Sequence, residues 1–532
     1  MRRRRPDQKQ LSSRKEFKTR TIYRQPSPLD RVDENPSPNS STPNRDKIVA
    51  FSPFLDDFEI NTTKDSVTYS SGSKSHSSPR ANLSELPNRL IAEESTDHLH
   101  TVAPLFCSFI RPPPENISEE SLEYLSRKEA FEIPSTEFRD ELIRSYINYV
   151  HPTLPVVNLQ SLLCAVEGDN KYEGTLSLLV FQSIMFIGAL YVNLSSFRNM
   201  GFHTREKAIR VLFNRAKLLY EFDFEPDEVA VVQALLLMSY CGNLTGGYKD
   251  GRHWTGIAVS ICLKEQGECD NARSILDSQY LRRRVWWCCF LRELVQSLFA
   301  KLPPRMVVSH LSYRVLDSSD IEIISTEKNG PDSAARDTAI LRDPCKQNEL
   351  VKIFLDHMRL CIQFSKFLEK GKDGIDVDAF ELVTWSQQLH IPSHWTLSAP
   401  DSLVDGVECI ALHGAVVRIT YFRVINDLHL RQVSTLTKQA ALQDDISYLQ
   451  RSAHRRFLQS SREMVTLGIY FYKLDLLEFL PVYILESLLS ATQTFLDNID
   501  NTLIGMVGED GSRCETEIAA LKSKLQSLLK FP

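Results

Sequence analysis

Apolar residues recur along most of this chain at spacings of three and four, the period of helices that bury one face. The widest stripe is Leu281, Val285, Trp286, Cys289, Phe290, Leu294, Val295, Leu298 and Phe299. Asp277 or Ser278 stands where an N-cap is expected, and Pro303-Pro304 is expected to stop the helix. Trp286 and Trp287 point about 100° apart around a helix axis, so they need different neighbours. This helix should therefore be clamped on two sides at the centre of a helical body. The adjoining Arg282, Arg283 and Arg284 lie near its N-terminus, where an exposed cation costs roughly 0.3–1 kcal/mol. Acidic partners should compensate them in structural ion pairs, or their stems should cover apolar surface. A phosphate or DNA contact is the second reading.

The same period marks further elements. Asn116-Ile117-Ser118-Glu119 has capping-box spacing ahead of Leu122, Tyr124 and Leu125. Helices are predicted over 135–150, ending before His151-Pro152, and over 174–192, 204–222, 226–241 and 249–266. His151 itself reads as a helix stop whose ring caps a neighbouring backbone group. After the central helix, 310–327 is short and mixed, and 328–347 is polar. Helical periods resume at 349–370, 377–390, 405–427, 442–472, 476–497 and 514–529. Period-two alternation is nearly absent, so the predicted fold class is all-α. Residues 1–100 hold no persistent period and are rich in Ser, Pro, Asn and charge, the composition of a disordered arm and linker.

Charge refines that division. The 532 residues carry a net charge of −6, yet residues 1–24 hold ten Lys/Arg against two Asp/Glu. The remainder is therefore near −14, which discourages non-specific DNA binding by the body. Arg2, Arg3, Arg4 and Arg5 open the basic arm, and a nuclear-import signal or DNA-backbone contact is expected there. Residues 51–60, Phe-Ser-Pro-Phe-Leu-Asp-Asp-Phe-Glu-Ile, mix aromatics with acids, a composition that can present apolar groups to a co-activator. The start has no apolar run, so no secretory signal is expected. The most apolar run, 176–192, is interrupted by Gln182 and Ser183 and is too short for a membrane span. Eleven cysteines occur without a Cys-x-x-Cys pair, the usage of reduced, buried thiols.

No constellation points to catalysis. Gly242 and Gly247 have phosphate-loop spacing, but Tyr248 stands at the lysine position. Gly-x-Ser-x-Gly and His-Glu-x-x-His do not occur. Asp56-Asp57 has no third acid at a metal-binding step, and Cys288-Cys289 diverge on a helix. The expectation is a protein that is not an enzyme.

Five blocks then carry a resemblance. They are Leu122 to Phe131 with Phe138 to Asn158, Val232 to Tyr240, Lys249 to Ala258, and Arg282 to Trp287. In this order they resemble the middle homology region of fungal zinc-cluster transcription factors, near the cutinase-regulator-like subgroup. The resemblance covers about 117–330 and extends more loosely to the C-terminus. It implies an all-α regulatory domain that restrains or switches an activator and takes part in effector sensing. In relatives, six cysteines hold two zinc ions in an N-terminal DNA-binding module. Here the first cysteine is Cys107, so the zinc ligands and DNA-reading residues map onto nothing. Either an exon encoding the cluster is missing, or the chain is a cluster-less regulator working through a partner. Two smaller departures are Ala300 to Arg305, where relatives often carry Gly-Arg-Pro or Arg-Arg-Pro, and Glu293, where an Asp is frequent.

The expected organisation is an arm and linker at 1–100, the middle homology region at 101–330, a surface loop at 331–348 and a C-terminal helical part at 349–532. The expected function is nuclear transcription regulation, with DNA bound directly or through a partner. A homo- or heterodimer and a small-molecule effector are further expected partners, and a membrane is not. Trp254, Arg283, Arg284, Trp286 and Trp287 form the expected core motif, with the tryptophans either packed in the core or lining an effector cavity. Lys249, His253 and Arg305 are the expected switch contacts or ion pairs. The alternative function is an all-α interaction scaffold that never meets DNA.

Overall fold

The structure is a computed structural model and describes residues 107–172, 174–199, 202–242, 249–265, 276–324, 337–372, 407–439, 443–498 and 509–530. Among these the only β-pairing is an isolated bridge between Ile110 and Leu176, and the regular elements are helices. The all-α prediction is met.

Helices α1 Glu119–Arg127, α2 Thr136–Tyr149, α3 Leu159–Val166, α4 Leu178–Ala189, α5 Leu194–Asn199, α6 Arg205–Glu221, α7 Glu228–Met238, α8 Gly251–Glu265 and α9 Leu276–Phe299 form the first part. They are followed by α10 Pro344–Lys372, α11 Val407–Gln439, α12 Gln443–Lys473, α13 Val482–Asp497 and α14 Glu509–Lys530. Side-chain caps start several of them. Thr204 accepts from the Lys207 amide and Asp227 from the Val229 amide. The predicted box at Asn116 is two residues early, because Ser118 is the α1 cap. The predicted helix at 377–390 lies outside the described residues.

Helix α4 explains how so apolar a run stays inside a helical body. Every one of its residues is buried, and it packs on α2, α6 and α7. The donors of its two polar interruptions are satisfied internally, while the Gln182 Oε1 is buried without a partner. Gln182 donates to the carbonyls of Ala130 (3.1 Å) and Glu132 (2.8 Å), and Ser183 donates to Leu179 (2.8 Å). A Cβ on Gly188 would stand 2.3 Å from the Leu142 carbonyl oxygen, so only glycine permits the close crossing of α2 and α4. No helix among the described residues is long and apolar enough to cross a membrane.

Two apolar cores result. The larger runs from Phe109 through α1–α10 into one face of α11, and the smaller lies among α11, α12, α13 and α14. Stacked Tyr149 and Phe479, with ring centroids 4.7 Å apart, join them beside the Phe299–Tyr483 pair. The described part of the expected surface loop at 331–348 departs from that reading. Thr338, Ile340 and Leu341 are buried, and α10 already begins at Pro344. Apolar Ile340 and Leu341 tie this connection to the larger core.

Candidate functional site

Helix α9 crosses the centre of the larger core, packed on α7, α8, α10 and α11. It begins at Leu276, ahead of the predicted cap, and ends at Phe299, before Pro303 is reached. The stop is a backbone turn in which Lys301 adopts φ +54° and the Leu302 amide returns to the Ser297 carbonyl. Trp286 and Trp287 are both buried and do take different neighbours. The Trp286 indole N–H donates to the Cys262 carbonyl on α8 (3.1 Å), and that of Trp287 to the Arg314 carbonyl (2.8 Å). Trp254, on α8, is enclosed by the rings of Phe213 and Tyr220.

The arginines beside the tryptophans find the acids that the sequence demanded. Arg283 forms an ion pair with buried Asp320, which Arg314 also reaches at 2.9 Å. Arg284 donates to Glu322 (3.0 Å) and to the carbonyl of Val157 (3.1 Å). These contacts tie α9 to the segment following it and to the approach of α3. Nearby, the His151 ring lies against Tyr146, with Nδ1 3.3 Å from the phenol oxygen. Burial first, and the Arg284 charge second, depress His151 to about 3, so the ring is neutral. The same burial raises the Tyr146 phenol and the Cys288 thiol, leaving both protonated and unreactive.

Of the expected switch contacts, Arg305 is exposed at the surface but reaches a buried acid of α9. Its guanidinium grips fully buried Glu293, with Nη2 2.5 Å and Nε 3.1 Å from Oε2, and its amide donates to Oε1 at 2.8 Å. Ser297 adds a hydroxyl at 3.0 Å. Arg305 Nη1 also donates to the Arg252 carbonyl on α8 (2.9 Å). A Cβ on Gly256 would lie 2.1 Å from that Nη1, so glycine makes room for the clamp. Lys249 pairs with Glu221 at 2.6 Å and stands 5.9 Å over the Trp254 ring. The His253 ring packs edge-on against Trp254, at 5.0 Å. Lys249 and His253 thus meet at Trp254, whereas Arg305 touches α8 at Arg252 and Gly256. Arg2–Arg5 and residues 51–60 lie outside the described residues.

Of two cavities among the described residues, the larger is not lined by Trp254, Trp286 or Trp287. That cavity, of about 340 Å³, lies beside the C-terminal half of α9 and is bordered by Tyr191, Tyr240, Arg292, Gln296 and Tyr483. The sequence reading missed these residues, although Arg292 and Gln296 repeat at a helical step within an otherwise apolar stripe. Among the described residues no group of three or more His, Cys, Asp or Glu could hold a metal ion.

The frame around α9 is shared with known proteins. Residues 143–439 match the family model described as "Fungal specific transcription factor domain". Cutinase transcription factor 1 beta of Fusarium vanettenii is 28% identical over 360 residues, 61% of this chain and 40% of its own length. A transcription factor of Fusarium pseudograminearum is 32% identical over 266 residues, covering 49% of this chain and 29% of the relative. Transcription factor cpaR of Aspergillus oryzae is 34% identical over 197 residues, 36% of this chain and 32% of its own length. The chain thus spans two fifths or less of these relatives, and no solved structure matches it. With more than half of its residues matched, and with the arginine–tryptophan helix inside the matched region, the chain belongs to the fungal-specific transcription factor domain family.

Proposed function

We propose that this chain is a nuclear transcription regulator whose helical body is the regulatory domain. DNA is engaged through a zinc cluster that this sequence does not carry, or through a dimer partner. The supporting observation is the family match over 143–439, which takes in α9 and every ion pair around it. The acidic balance of the chain beyond residue 24 fits a body that leaves the phosphate backbone to another module.

In this reading residues 1–100 form an import arm and linker, 101–330 the middle homology region, and 349–532 a C-terminal part of the same body. Arg2–Arg5 address the chain to the nucleus, and residues 51–60 contact a co-activator. Arg305, Lys249 and His253 transmit a change at α8 to the Glu293 clamp and to Trp254.

The chain fused to a heterologous DNA-binding domain should change expression of a matching reporter severalfold, in either direction. A reporter indifferent to the fusion in the native host would overturn regulation and favour the scaffold reading. Replacing Arg2–Arg5 with alanine in a fluorescent fusion should shift it from nucleus to cytoplasm, and unaltered nuclear accumulation would exclude those arginines as the address.

A further inference from the structure

Charge on the arginines that lie on α9 or contact it calls for a counter-charge, and four of them show a contrast. Three have one: Arg283 has Asp320, Arg284 has Glu322 and Arg305 has Glu293. The fourth, Arg292, is 6% exposed and has no carboxylate within ion-pair distance among the described residues. Its Nε and Nη2 donate to the hydroxyl (2.8 Å) and carbonyl (3.0 Å) of Ser239, the residue that ends α7. Its guanidinium stacks 3.7 Å over Tyr240, and Nη1 has no partner. Arg283 and Arg284 also leave one nitrogen unfilled, but carboxylates neutralise their charge. A helix C-terminus and a ring face supply partial charge only, so Arg292 remains a buried cation in want of an anion.

Arg292 lines the cavity of about 340 Å³, a size suited to a small molecule. One helical turn along α9, Gln296 lines it as well, and its Oε1 is buried without a partner. Tyr191, Tyr240 and Tyr483 complete an aromatic wall, and burial keeps the Tyr191 and Tyr483 phenols protonated as donors. The acids at the cavity do not occupy Arg292. Glu478 acts on Arg205, Asp250 accepts from the His253 amide, and burial raises Glu486 towards its neutral form.

We infer that this cavity binds a small aromatic carboxylate, its carboxylate on Arg292 and its ring against the tyrosines. The inference rests on the proposed regulatory role only in calling that ligand an effector, since binding itself can be read without DNA or transcription. The site joins the C-terminal half of α9 to the start of α13, so an occupant would bridge the two apolar cores.

The test uses the purified full chain with 2-naphthoate as probe and 2-naphthamide as its uncharged counterpart, followed by calorimetry. Saturable one-to-one binding of the acid is expected, at least tenfold tighter than of the amide. Arg292→Gln should weaken it tenfold or more. Ala300→Trp, an exposed position on the cavity rim, should block it without touching the core. Equal affinity for acid and amide, undiminished binding in the folded Ala300→Trp chain, or no saturation at millimolar probe would each overturn the inference. If Arg292→Gln fails to fold, Ala300→Trp and the acid–amide ratio decide. A reporter that fails to respond to the DNA-binding fusion would refute regulation and leave these binding results intact.

Discussion

The two halves of α9 handle buried arginine in opposite ways. In the N-terminal half, Arg283 and Arg284 are paired with acids from the segment that follows the helix, and the tryptophans just after them are hydrogen-bonded and buried. In the C-terminal half, Arg292 has a serine and tyrosine rings but no acid among the described residues, and a cavity beside it. A fully paired, close-packed end has one arrangement and serves as a frame. An end with an unmatched charge beside a cavity is where the inferred ligand would change the balance. One helix therefore carries a fixed reference and an adaptable site about two turns apart.

Substitutions along α9 can break this contrast. Asp320→Ala strands the largely buried Arg283 and leaves Arg314 only Asp317, and should cost about 3–5 kcal/mol in chemical denaturation. A loss below about 1 kcal/mol would mean the frame is not held by its ion pairs. Trp286→Ala removes a fully buried indole and its bond to Cys262, with a similar expected cost of about 3–5 kcal/mol. Arg292→Met should be far milder. It gives up bonds to Ser239, worth about 1–3 kcal/mol together, but removes an uncompensated charge, so a net loss near 1 kcal/mol is expected. A loss matching that of Asp320→Ala would show that Arg292 is as fully paired as its neighbours.

Buried histidines offer a third way to manage a basic group, and it has a pH signature. His357 is 3% exposed with its Nε2 unpartnered, and burial depresses it from 6.5 to about 4. The unfolded chain therefore takes up this proton first. The stability contributed by keeping the ring neutral is complete above pH 6.5 and is lost as pH falls towards 4. The slope reaches at most about 1.4 kcal/mol per pH unit for one proton. His357→Leu should flatten the stability profile over that window, and an unchanged slope would assign the acid sensitivity elsewhere.

Much of the helical scaffold was legible because its signals are local. The stripe of α9, the helix starts near 204 and 226, and the polar breaks in α4 can each be read within a few residues. The eight-residue α3 and the six-residue α5 escaped because each spans too little chain to establish a period. Asn158, which caps α3, was the available clue to the first. The same locality hid the cavity. Tyr191 follows α4, Tyr240 follows α7, Arg292 lies on α9 and Tyr483 on α13, so no window of sequence contains them together.

The sequence by itself determined that this chain is helical, that its middle arginines need acids, and that its tryptophans need separate neighbours. Those follow from periodicity and from the cost of unpaired charge, which act wherever the residues are placed. Only the tertiary structure decided which acids answer which arginines, and that Arg292 receives none among the described residues. Pairing across tens of residues depends on how helices cross, and close crossings such as Gly188 on Leu142 and Gly256 on Arg305 are set by packing in three dimensions.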